Sequence, residues 1–175
     1  EAFGDFASPE TYFPRVTPES EGISSEKLTQ MLRELAAAHH TDMHHLLVLR
    51  NGQVICECNF APYRSGIWHA TYSMCKSITG MAVGFLISEG KLSLDENVYD
   101  IFEKRNGLLQ KILRPNLTVE HLLTMKSGVQ FNEMGVVSGN DWVDSFLNAP
   151  VKGTPGEAFE YNSMNTYLLS AIIQE

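Results

Sequence analysis

The chain has 175 residues, of which 43% are hydrophobic, with 13 Lys+Arg against 21 Asp+Glu and a net charge of −8. That length and apolar content can bury a core and exclude a disordered acidic chain. The negative balance excludes a nucleic-acid binder, which must neutralise phosphates. The longest apolar stretch, Ile78 to Ile87, is about half of the roughly 18 residues that span a membrane.

Residues 1–22 carry Pro9, Pro14 and Pro18 without periodicity and read as a surface-hugging arm. Ser24 is placed to cap a helix, with Leu28, Met31, Leu32 and Leu35 on one face and an end near His39. Leu46 to Arg50 and Gln53 to Cys56 flank Asn51-Gly52. That dipeptide between apolar runs predicts a tight hairpin, because both turn positions need positive φ. A long apolar helix is expected from Ser73 to a stop at Gly90, buried on nearly all sides. Short helices are expected at 98–103, at 118–125 behind Thr118, and at 140–148 behind Asn140 or Asp141. A last one starts near Ser163 and contains Leu168, Leu169, Ile172 and Ile173. The fold class is therefore α+β, in three parts: the arm at 1–22, a helix and hairpin at 23–62, and a helical region at 63–175. Two strands are too few for an independent sheet.

Cys56, Cys58 and Cys75 are too few for a disulfide framework and read as reduced thiols. No signal peptide is visible and the first residue is Glu1, which leaves bacterial cytoplasm and periplasm equally open. His39, His40, His44 and His45 invite a metal reading. However, histidines at a helix end complement its dipole, and adjacent strand positions face opposite ways, so no metal is expected. His121 sits among core leucines and reads as structural, and Trp142, Phe146 and Leu147 as helix core.

Ser73-Met74-Cys75-Lys76 sets a hydroxyl and an amine three residues apart. On a helix these side chains are neighbours. Serine needs an adjacent base to act as a nucleophile, and apolar surroundings favour the neutral, basic amine of a lysine. The same spacing joins Ser24 to Lys27 and Ser88 to Lys91. Ser24 is explained by capping, and Gly90 separates the faces of Ser88 and Lys91. Only Ser73 opens an apolar helix with the lysine on its first turn.

The stretch Tyr72 to Gly80, followed by Glu89-Gly90-Lys91-Leu92-Ser93-Leu94-Asp95, resembles the serine β-lactamase and penicillin-binding-protein superfamily. The likeness is greatest to its class C β-lactamase, esterase and 6-aminohexanoate-dimer-hydrolase branch. Leu117 to Gly128 and Pro155 to Ser163 resemble the next two landmarks of that branch, in the right order. The resemblance implies a β-lactamase/transpeptidase-like fold, with the hairpin belonging to an antiparallel sheet. It implies a serine hydrolase acting through an acyl-enzyme on a small ester, amide or β-lactam, without a cofactor. Ser73 would be the nucleophile, Lys76 would accept or relay its proton, and Tyr161 would be the third catalytic member. Ser163 would touch substrate where the family usually has Asn, which weakens a penicillin-specific reading. The alternative is a non-catalytic binding or structural module of the same fold.

The superfamily also uses a Lys- or His-x-Gly strand that lines the site and supplies an oxyanion donor. No such segment follows Tyr161, after which only fourteen residues remain. The expectation is an N-terminal portion whose sheet is completed by a further segment or a second chain, and little turnover by the 175-residue chain alone. Substrate selection is expected partly in the loop 129–140, whose Gly135 and Gly139 suggest mobility.

Overall fold

The computed structural model describes residues 13–105, 116–130 and 141–175. Its contacts divide the chain into two compact units, 1–70 and 71–175. Among the described residues no helix is long and apolar enough to cross a membrane. The described elements are helices and one two-stranded antiparallel sheet, an α+β architecture as expected.

In the first unit, helix α1 runs Ser25–Ala37, and the Ser24 side chain accepts from the Lys27 N–H at 3.3 Å. Strands β1 (His45–Arg50) and β2 (Gln53–Asn59) pair antiparallel with an irregularity between Val48 and Leu49. Asn51 and Gly52 have φ of 50° and 76°, the left-handed pair that the Asn-Gly turn requires. Residues 1–12 of the expected arm lie outside the described residues; residues 14–16 run along β2, with the Val54 N–H donating to the Pro14 carbonyl at 2.9 Å and the Val16 N–H to the Val54 carbonyl at 3.1 Å. The arm thus supplies backbone partners to one edge of the hairpin.

The second unit is helical. Helix α2 is Cys75–Ser88, preceded by a 3₁₀ turn at Tyr72–Met74. Gly90, at φ 68°, ends it, with its N–H donating to Ile87 and that of Lys91 to Leu86. Short helices follow: α3 (Val98–Ile101), α4 (Val119–Leu123) and α5 (Trp142–Asn148), capped by Asn97, Thr118 and Asp141 respectively. Helix α6 is Ser163–Ile172, capped by Asn162, and packs against α2, α4 and α5. The core gathers Val83, Phe102, Leu122, Phe146 and Leu168, all nearly sealed from solvent. The expected loop 129–140, with the alternative cap Asn140, lies outside the described residues beyond position 130.

Two expectations of burial need revision. Helix α2 is not buried on nearly all sides: Val83 is its one fully buried residue, whereas Met74 just before it and Ile78, Met81 and Phe85 on it are 59–72% exposed. Spaced four, three and four apart, these four share one helix face. Phe146 and Leu147 are core, but Trp142 is 42% exposed and tilts against Tyr167 at 5.2 Å between rings.

Candidate active site

The 3₁₀ turn ahead of α2 sets Ser73 apart from an ordinary helix cap. Position Met74 precedes the helix without a side-chain cap bond. Tyr72 takes a φ of 43° although it is bulky and 84% exposed. L-residues with large side chains rarely adopt this left-handed region, and such outliers cluster at functional turns. The Ser73 hydroxyl is exposed rather than spent on capping.

Lys76 lies on the first turn of α2, half-buried, with its ammonium donating to Ser73 Oγ at 3.0 Å. Ser73 Oγ also lies 2.6 Å from the Tyr161 hydroxyl, within hydrogen-bond distance in either direction. The Lys76 Nζ stands 5.0 Å from the centre of the Tyr161 ring, in cation–π range. Thus Ser73, Lys76 and Tyr161 form one constellation. Ser163 lies alongside: Ser73, Lys76, Ser163, Thr166, Tyr167 and Ser170 line a common open groove. Its exposed lining is mostly apolar, with a few hydroxyls and the Lys76 amine set into it.

Chemically, the arrangement can share one proton among a serine hydroxyl, a phenol and an amine. The Tyr161 hydroxyl at 2.6 Å on one side and the Lys76 nitrogen at 3.0 Å on the other bracket the serine oxygen. A serine nucleophile needs such a proton-accepting neighbour within hydrogen-bond reach.

The histidine run has partners of its own within the first unit. His44 Nδ1 meets His69 Nδ1 at 3.0 Å, and its ring stacks on Tyr63 at 3.6 Å. The Tyr63 hydroxyl donates to Asp42 at 3.4 Å, and desolvation together with that carboxylate holds the phenol above its ordinary value. His45 instead pairs with Asn59 at 2.9 Å. Among the described residues no three metal-ligating side chains converge. His69, absent from the sequence argument, is brought to His44 by the loop after the hairpin.

His121 has a defined role. Its ring Nδ1 accepts from the Thr118 N–H at 3.2 Å while the Thr118 hydroxyl oxygen accepts from the His121 N–H at 3.3 Å. This is a reciprocal capping box with His in the place usual for Glu or Gln. The role is structural, as expected, and the Thr-x-x-His spacing carries its signal.

The beta-lactamase family model matches residues 28–175, and the chain belongs to that family. It is 33% identical over 113 residues to Protein flp of Staphylococcus aureus, an alignment covering 58% of this chain and 22% of that protein. A Bacteroides dorei protein provisionally assigned as a beta-lactamase superposes with TM-score 0.70 at 18% identity, over 86% of this chain and 46% of that one. EstCE1, a hydrolase with promiscuous acyltransferase activity, superposes with TM-score 0.59 at 17% identity, over 85% of this chain and 46% of its own. The chain therefore spans less than half the length of these relatives.

Proposed function

We propose that this chain carries the nucleophile-bearing portion of a serine hydrolase that cleaves an ester, amide or β-lactam through an acyl-enzyme. The observation that carries the reading is the convergence of Lys76 and Tyr161 on Ser73 Oγ, at 3.0 and 2.6 Å. The beta-lactamase family, whose members are generally serine hydrolases, supports it at the level of reaction class.

In this reading Tyr161 acts as the phenolate or Lys76 as the neutral amine, and the Ser73 oxygen attacks the substrate carbonyl carbon while its proton passes to that deprotonated group. A tetrahedral oxyanion forms, and backbone N–H groups stabilise it. The bond from the carbonyl carbon to the leaving oxygen or nitrogen then breaks, and the leaving group takes the stored proton. The product is an ester between Ser73 Oγ and the acyl group. Water, deprotonated by the same tyrosine and lysine, attacks that ester, releases the acid and restores the serine. Ser163 lines the groove where it can hydrogen-bond the acyl side of the substrate. No step uses a cofactor.

The test is covalent labelling of the intact natural protein with a fluorophosphonate and with a fluorescent penicillin, followed by peptide mapping. The proposal expects an adduct on Ser73 with at least one reagent and none in Ser73→Ala. An unmodified Ser73 with both reagents would leave a binding or structural module of the same fold as the better account.

A further inference from the structure

The groove chemistry depends on Tyr161, which is 88 residues from Ser73 in sequence. Tyr161 lies in no helix or strand, since α6 begins only at Ser163. Free loops do not hold a phenol within 2.6 Å of a partner unless something else fixes their backbone.

The anchor is the turn that ends α4. Met125 adopts φ 57° and Gly128 φ 66°, so the chain doubles back after the helix. Three carbonyls of this turn then face the segment leading to Tyr161. The Lys152 N–H donates to the Gly128 carbonyl at 2.8 Å, the Gly156 N–H to Lys126 at 2.8 Å, and the Glu160 N–H to Met125 at 2.9 Å. On the far side of Tyr161, the Asn162 side chain accepts from the Met164 N–H at 2.9 Å and starts α6. The residues on both sides of Tyr161 are therefore tied down.

His121 sits under the middle of this tether. A methyl group on Gly156 would lie 2.9 Å from His121 Nε2, and Gly156 has φ 93°. The imidazole and the bare glycine thus fit against each other with no room to spare. Its other nitrogen, Nδ1, is engaged in the Thr118 capping box. One ring thus bonds to the start of α4 and packs closely against the Pro155-Gly156 turn.

We propose that His121 is a positioning residue for the candidate active site. Through the ring–Gly156 contact it sets the height of the 152–160 segment on the Met125–Gly128 turn, and so the distance of the Tyr161 hydroxyl from Ser73. The inference rests on the serine-hydrolase reading for its consequence in catalysis, but not for its geometry.

Two variants separate positioning from folding. His121→Gln keeps an acceptor for the capping box, where Gln is a usual occupant, and removes the ring from Gly156. Gly156→Ala keeps the histidine and pushes a methyl into it. Each is made in the intact natural protein, with circular dichroism to monitor folding. The rate of Ser73 labelling by a fluorophosphonate is expected to fall about tenfold or more in both, because ångström misplacement of a proton-transfer group is costly. A second readout needs no activity: 3-fluorotyrosine at position 161 gives a fluorine resonance that Ser73→Ala shifts in the parent protein. That shift is expected to vanish in the His121→Gln and Gly156→Ala backgrounds. Folded variants that keep both the labelling rate and the Ser73-dependent shift overturn the proposal. So does unfolding of both variants, which would make the contact merely structural. If the parent is not labelled at Ser73, the hydrolase reading fails and the fluorine comparison alone decides the positioning role.

Discussion

Ser73 Oγ and the Tyr161 hydroxyl stand 2.6 Å apart, with the Lys76 ammonium 3.0 Å from the same serine oxygen. Helix α2 positions the serine and lysine, and the tethered segment ahead of α6 positions the phenol. Removing the phenolic oxygen leaves the packing of the ring but takes away a proton acceptor. Tyr161→Phe is expected to slow acylation of Ser73 by roughly 10²–10⁴-fold, the usual range for a general acid–base group. Lys76→Ala should fall in the same range, and Tyr161→Phe/Lys76→Ala should be no worse than the poorer single variant, because the two groups act on one proton. Stopped-flow labelling of the three variants gives the comparison; multiplicative losses would show that the groups act independently.

Tyr72 holds a left-handed backbone conformation directly before Ser73 with its side chain in solvent. Glycine adopts that conformation without the Cβ clash, which costs about 1–2 kcal/mol in other residues. Against this stands the larger entropy that glycine loses on folding, about 0.5–1 kcal/mol. Tyr72→Gly is accordingly expected to leave stability unchanged or raise it by up to about 1.5 kcal/mol, while slowing Ser73 labelling because the turn is less rigid. Urea denaturation and the labelling rate, measured together, test the pairing of these effects; a marked destabilisation would show that the strain argument is wrong.

Asp141 caps α5 and lies 2.7 Å from the Arg105 guanidinium. Its carboxyl is held below the ordinary aspartate value, first by the Asp144 N–H and then, against the opposing effect of desolvation, by Arg105. A carboxylate depressed in the folded state contributes stability that is complete above the ordinary aspartate pKa of about 3.9 and lost as pH falls through the lower folded value. Asp141→Ala should therefore lower the melting temperature by a few degrees at pH 7. The gap to the parent should narrow as pH drops below about 4. Asp141→Asn, which keeps the cap acceptor, should lose less at pH 7 than Asp141→Ala. A gap that stays constant across the acid range would show that ionisation of Asp141 is not linked to folding.

The two faces of α2 should answer differently to substitution. Val83 has no exposed surface, and truncating it to Ala removes two methyl groups from the core and leaves a cavity. A loss of about 2 kcal/mol is expected. Phe85→Ser and Ile78→Ser, on the exposed face, should change stability by no more than about 0.5 kcal/mol. Both should reduce binding of a hydrophobic dye, which reads exposed apolar area. Equilibrium unfolding of the 175-residue chain, with dye fluorescence alongside, distinguishes the two faces. A large loss for Phe85→Ser would mean that this face is covered in the folded chain.

Local chemistry was legible wherever a short-range rule acts alone. Asn51-Gly52 dictates its own turn, Ser24 and Thr118 cap the helices expected of them, and Gly90 ends α2 as its positive φ permits. The Ser-x-x-Lys spacing placed Ser73 beside Lys76 because three residues are one helical turn, and the hydroxyl–ammonium bond follows. Burial was less legible. The apolar composition of α2 predicts contact on every side, but composition does not say which neighbours exist. The faces of Val83 and Phe85 differ because α6 packs along one side only among the described elements.

The sequence by itself determined the family, through the beta-lactamase pattern across residues 28–175, and set a serine and a lysine one turn apart with a tyrosine later in the chain. Only the tertiary structure decided that Tyr161 reaches Ser73, that Tyr72 takes a strained conformation beside it, and that His121 is wedged under Gly156. The physical reason is range. Caps, turns and helical neighbours are settled by residues a few positions apart, whose energies are local. The Ser73–Tyr161 contact closes a loop of 88 residues, and its entropic cost is offset only by the packing of α6 and the hydrogen bonds of the Met125–Gly128 turn acting together.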